Sequence, residues 1–147
     1  MVKKMWPDKK ETADFISLIE KAIRLTTENI SDLDAIHQLG QGWVAEETLA
    51  IAVYCAVKYS DDFDKALIAS VNHKGDSDST GAVTGNILGA KLGLSGIPEK
   101  YIQNLELKDI ILEVADDLCR DCQMDEYHHT DDDKIWIQKY IEMTYWK

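Results

Sequence analysis

Gly75-Asp76-Ser77-Asp78-Ser79-Thr80-Gly81-Ala82-Val83-Thr84-Gly85-Asn86-Ile87-Leu88-Gly89-Ala90-Lys91-Leu92-Gly93 carries the strongest local signal in the chain. Its first part sets two carboxylates and several hydroxyls side by side, the hard oxygen donors that Mg²⁺, Mn²⁺ and Ca²⁺ prefer. Packing Asp76 against Asp78 costs like-charge repulsion, which a bound cation removes. The plainer reading is a solvated turn with an aspartate or serine capping the helix that follows. In the second part Gly81, Gly85, Gly89 and Gly93 recur every fourth residue. That spacing puts them on one helical face. Each interior glycine costs about 1 kcal/mol against alanine, so the run implies a face pressed against another helix backbone. Asn86, Lys91 and the short apolar run argue against a bilayer span. The expectation is a closely packed helix whose N-terminal end presents Asp76 and Asp78.

Two known metal or phosphate motifs fit poorly. Asp76, Asp78, Thr80 and Gly81 match the start of an EF-hand loop, but its twelfth place needs a bidentate glutamate and here holds Ile87. A haloacid-dehalogenase phosphatase would take Asp76 as nucleophile and Asp78 as acid after a buried strand. Val71-Asn72-His73-Lys74-Gly75 is no such strand, and no alternation of strands and helices surrounds it.

The third comparison fits. Gly75-Asp76-Ser77-Asp78-Ser79 resembles the carboxy-terminal metal motif of the ADP-ribosylglycohydrolase family, G-D-[ST]-D-[ST]. Upstream, Gly42-Trp43-Val44-Ala45-Glu46-Glu47-Thr48-Leu49-Ala50 is similar to that family's G-W-V-A-E-E segment. Between them, Phe63-Asp64-Lys65-Ala66-Leu67 and Ser70-Val71-Asn72 resemble the helix leading into the metal turn. The glycine helix, Gly96-Ile97-Pro98 and the helix near Ala115-Asp116-Asp117-Leu118 extend the likeness, which covers about residues 30–120.

The resemblance implies an all-α helical bundle and a dinuclear Mg²⁺ or Mn²⁺ centre. It implies metal-assisted hydrolysis of the glycosidic bond of an ADP-ribosylated substrate. It makes Asp76, Asp78 and Ser79 metal ligands, with Thr80 the alternative hydroxyl donor, and assigns no catalytic residue. His73 beside the turn is either a contact to ligand phosphate or sugar, or a capping histidine. Trp43, Glu46 and Glu47 read as helix-start and packing residues. The family is roughly 300 residues long, the size of a large domain, and carries a second motif, T-D-D-T, near its amino terminus. No such motif precedes Gly42; Thr130-Asp131-Asp132-Asp133 lies in the wrong order and reads as a helix cap. The chain therefore reads as one domain resembling the carboxy-terminal half of the family. The metal centre is then a half-site or absent, and the isolated chain inactive or active only with an amino-terminal half on another chain. The alternative is a non-catalytic module that binds ADP-ribose or metal, or a structural helical remnant.

The rest of the chain sets bounds. A net charge of −11 excludes nucleic acid or an anionic membrane as a partner held by general electrostatics. Nothing near Met1 reads as a signal peptide, and three cysteines, Cys55, Cys119 and Cys122, suit a reducing compartment, so the expected location is the cytoplasm. Cys55 reads as a buried hydrophobe, and Cys119-Arg120-Asp121-Cys122 as a pair at a helix end.

Periodicity predicts helices almost throughout. Phe15, Leu18, Ile19, Ala22, Ile23 and Leu25 trace one face. Ser31 with Asp34 caps a short helix that Gly40 and Gly42 stop. Glu46 to Tyr59 is apolar enough to be central, and Asp61 and Asp62 cap the helix from Phe63 to Val71. Leu107 to Cys119 would bury Ile110, Ile111, Val114, Ala115 and Leu118, and a last helix would run from Asp133 to Trp146. The apolar helix at 46–59 and the aromatic last helix would lack cover in a half-fold, which favours a homodimer.

Overall fold

A computed structural model describes residues 10–119 and 134–145. The helices are α1 (Lys10–Leu25), α2 (Asp32–Leu39), α3 (Ala45–Lys58), α4 (Phe63–Val71), α5 (Ser77–Leu92), α6 (Glu99–Ile102), α7 (Lys108–Cys119) and a short α8 (Lys134–Trp136). Among the described residues there is no strand, and the fold is all-α. The chain forms two compact units that divide after Glu99. His128, His129, Cys122 and the Thr130–Asp133 string lie outside the described residues.

The first unit is built around α3, which touches α1, α2, α4 and α5. Its alanines are good helix formers and leave room for close neighbours. Ala50, Ile51, Tyr54 and Cys55 join Ala22 and Leu25 of α1, Ala35, Ile36 and Leu39 of α2, and Ala69 of α4 in one core. Ala56 turns the other way, onto Phe63, Ala66 and Leu88. The apolar reading of this segment thus placed the centre of the unit. Cys55 is fully buried, and that burial pushes its thiol up to about 12, far from reactive thiolate chemistry.

The expected caps are present. Ser31 Oγ accepts from the Asp34 amide, and Asp62 accepts from the Lys65 amide.

The glycine face of α5 is a correction. The buried stripe is Thr80, Thr84 and Leu88, one residue ahead of Gly81, Gly85 and Gly89. Only Gly81 is tightly approached: a Cβ there would lie 2.7 Å from Val71 Cγ1. A Cβ at Gly85 would make an ordinary contact, and one at Gly89 would meet nothing within 4 Å. The two threonines serve as core residues because their hydroxyls are satisfied by carbonyls, Thr84 by Thr80 O at 2.7 Å and Thr80 by Ser70 O at 2.6 Å.

In the second unit α7 forms as expected but buries none of its predicted apolar side; Ile111 and Leu118 stay 47% and 57% exposed. Its acidic residues make the local contact instead. The buried Lys139 ammonium pairs with Glu113 and with Asp117 at 3.0 Å, and the Tyr140 hydroxyl donates to Asp117 at 2.5 Å. The last helix is also shorter than expected. After Trp136 the backbone widens into a π turn, Ile137–Ile141, closed by Glu142 N–H donating to Ile137 O at 2.9 Å.

No helix among the described residues is long and apolar enough to cross a membrane.

Candidate functional site

The acidic turn joins α4 to α5, and a second segment, residues 40–48, is fastened across it. The Asp76 amide donates to Gln41 O at 2.7 Å. Gly75 lies so close that a Cβ would stand 1.8 Å from the same oxygen, so only glycine fits. Gly42, at φ +82°, faces the turn from the other side, where a Cβ would come within 2.9 Å of Thr80 Cγ2.

Asp76 caps α5, its carboxylate accepting from the Ser79 amide at 3.5 Å. Asp78 follows in the first helical turn. The two carboxyl groups lie within hydrogen-bonding reach. The Asp78 carboxyl, followed by the Ser79 hydroxyl, holds the Asp76 carboxyl below the usual carboxylate range. Two acids this close ionise together only against repulsion, so the pair fits a divalent cation as donor chemistry. Among the described residues no third His, Cys, Asp or Glu completes a metal cluster.

His73 and Thr80 lie behind this pair. His73 Nδ1 accepts from the Gly75 amide at 3.1 Å, which leaves the ring proton on Nε2. Nε2 donates to Thr80 Oγ1 at 3.0 Å, and Thr80 donates onward to Ser70 O. Thr80 is fully buried, whereas Ser79 is half-buried. The structure thus brings Asp76, Asp78 and Ser79 together at the helix end and sets His73 and Thr80 in a hydrogen-bond chain beneath them.

Asp76 and Ser79 border a cleft of about 440 Å³ lined also by Gly42, Trp43, Val44, Thr48 and Val83. Trp43 stands at its lip, 66% exposed, with Nε1 donating to Gln41 Oε1 at 3.1 Å. The expectation of a packed tryptophan is corrected: Gly42 turns the chain outward, and the indole lies on the surface rather than in the core.

Sequence reasoning missed two arrangements. Glu47 Oε2 accepts from both the Gln41 and Gly42 amides at 3.0 Å. The available signal was a glutamate at the third position of α3, following a Gly-x-Gly. Asp32 gathers Tyr54 Oη at 2.7 Å, Lys58 Nζ at 2.8 Å and Tyr59 Oη at 2.8 Å. Only the Tyr54–Lys58 spacing of four hinted at that cluster.

Comparison with known proteins agrees with the geometry. The chain belongs to the ADP-ribosylglycohydrolase family, whose model matches residues 2–128. It is similar to an uncharacterized protein of Archaeoglobus fulgidus, 35% identical over 67% of this chain and 32% of the relative. It is similar to the ADP-ribosyl-[dinitrogen reductase] glycohydrolase of Rhodospirillum rubrum, 41% identical over 33% of this chain and 17% of that protein. It is also similar to ADP-ribosylhydrolase ARH3 of Mus musculus, 26% identical over 65% of this chain and 29% of that protein. The chain spans a third or less of the length of these relatives. No solved structure matched it.

Proposed function

We propose that this chain carries the carboxy-terminal metal half-site of an ADP-ribosylglycohydrolase, acting in metal-assisted hydrolysis of the N- or O-glycosidic bond of an ADP-ribosylated substrate. The observation that carries this reading is the Asp76–Asp78–Ser79 cluster on the edge of a cleft, within a chain of this family. Asp76 and Asp78 would hold Mg²⁺ or Mn²⁺, with Ser79 as the hydroxyl donor. In a two-ion centre the bound metals supply orientation of ribose hydroxyls and stabilisation of developing negative charge. The protein's part is to fix the carboxylates at the end of α5, strap them to Gln41, and offer a partly apolar cleft to the ligand.

Two carboxylates are too few for firm Mg²⁺ binding, since that ion sheds water reluctantly. The remaining ligands are therefore assigned to an amino-terminal family segment or to a second copy of this chain. Three cysteines, an odd and small number that suits a reducing compartment, support a cytoplasmic setting. A non-catalytic role in binding ADP-ribose is the second reading, favoured by the same incomplete ligand set.

The test is hydrolysis of ADP-ribosylated arginine and serine peptides with Mg²⁺ or Mn²⁺, with and without an amino-terminal family fragment. The expected result is negligible turnover alone and turnover restored by the fragment, abolished by Asp76→Asn. Binding of ADP-ribose without turnover in any mixture supports the second reading. No binding of ADP-ribose or Mn²⁺ by any mixture rejects both.

A further inference from the structure

We propose that Glu47 is the positioning residue of the acidic turn, a role that rests on reading that turn as the metal site. Its carboxylate reaches back from the first turn of α3 and takes two backbone amides, those of Gln41 and Gly42, on the single oxygen Oε2. Gly40 makes the room: a Cβ there would stand 2.3 Å from Glu47 Cδ. The peptide so gripped is the one whose carbonyl, Gln41 O, accepts from the Asp76 amide. Thr48 Oγ1 donates to Gly42 O at 2.7 Å and fixes the next carbonyl. A chain of backbone contacts therefore runs from the Glu47 carboxylate through Gln41 to the residue that caps α5. In this role Glu47 acts through the backbone and sets where Asp76 stands.

This role needs an oxygen acceptor at a given distance from the α3 backbone. A glutamine retains both acceptor and length. An aspartate retains the charge but is one methylene short. A mere contribution of negative charge to the site would give the opposite order, with aspartate tolerated and glutamine not.

Amide hydrogen exchange on the full 147-residue chain reads the role directly, with Glu46→Ala as the control. The Asp76 amide is expected to exchange about tenfold faster or more in Glu47→Ala and Glu47→Asp, the scale of a lost hydrogen bond to a charged group. In Glu47→Gln it should stay within about threefold of the parent, since a neutral acceptor replaces a charged one. The Tyr54 and Cys55 amides inside α3 report global opening, and the change at Asp76 is read relative to theirs. Mn²⁺ titration, followed by the spin resonance of the free ion, should weaken in the same order. Unchanged Asp76 exchange in both the alanine and aspartate variants overturns the proposal, as does protection kept by aspartate and lost by glutamine. If the alanine variant does not fold, the aspartate and glutamine pair decides. A parent chain that binds no Mn²⁺ rejects the metal reading alone, and the exchange order still decides the positioning role.

Discussion

Asp32 and Asp76 both stand at helix N-termini in the same unit, yet their surroundings differ in kind. Both oxygens of Asp32 are taken, Oδ1 by Tyr54 and Lys58 and Oδ2 by Tyr59. Burial alone would raise the Asp32 carboxyl; the hydrogen bonds from Lys58, Tyr54 and Tyr59 outweigh it and hold the group below its usual range. Asp76 forms no ion pair with a lysine or arginine among the described residues; its first neighbour is another acid, Asp78, with the His73 ring a lesser influence. An aspartate satisfied from within is part of the scaffold. An aspartate set against a second one has chemistry left over for a ligand.

The most damaging change should be Gly75→Ala, which puts a methyl into the Gln41 carbonyl. Neither partner is a flexible side chain, so the cost should reach about 3 kcal/mol or more in urea unfolding. A loss below about 1 kcal/mol would mean the turn slides freely and the strap to Gln41 is slack.

Asp32→Ala should come next, at about 1–2 kcal/mol after allowing for screening of a partly exposed pair. Asp76→Asn should leave the unfolding midpoint unchanged, because asparagine caps helices as well as aspartate does. Equal losses in the two variants would erase the distinction between scaffold and ligand acids.

The Asp32 contribution should also carry a pH signature. Its carboxyl titrates lower folded than unfolded, so its stabilisation is complete above the unfolded value and falls away as pH drops through the folded one. The gap in midpoint between the parent and Asp32→Asn should be constant at neutral pH and close below about pH 4. A gap that widens in acid would show that burial, not the hydrogen bonds, governs Asp32.

The smallest effect sharpens the contrast along α5. Gly89→Ala meets open space and should stabilise by about 0.5–1 kcal/mol, whereas Gly81→Ala runs into Val71 and should destabilise. Equal signs at the two sites would restore the idea of one continuous glycine face.

Much of this unit was legible in the sequence because the physics is local. Ser31 and Asp62 announce helix starts through hydroxyl and carboxylate acceptors placed three residues before an amide. The alanine-rich run at 45–58 announces a helix that neighbours approach closely. The family itself was legible through the acidic turn and its neighbouring segments taken in order, and a family model matches residues 2–128. The buried face of α5 was not, because Thr80 and Thr84 read as polar and only the fold supplies the carbonyls that satisfy them. The glycines beside them drew the eye to the wrong stripe. Asp32 was illegible because its partners lie a helix away in sequence. The apolar side of α7 misled because the nearest described partner, Lys139, is a cation that selects Glu113 and Asp117.

The bond from the Asp76 amide to Gln41 also has a kinetic meaning. All of α3 and α4 lies between its two ends, so the bond closes a ring around a pair of packed helices. Closing a loop of that span carries an entropic cost that neighbouring-turn contacts do not. Helices α3 and α4 are expected to gain their mutual contact first, with the clasp following once they have brought residue 41 within reach of residue 76. The acidic turn is then the last part of this ring to assemble and, by the reverse path, the first to open, ahead of the core that holds the helices together.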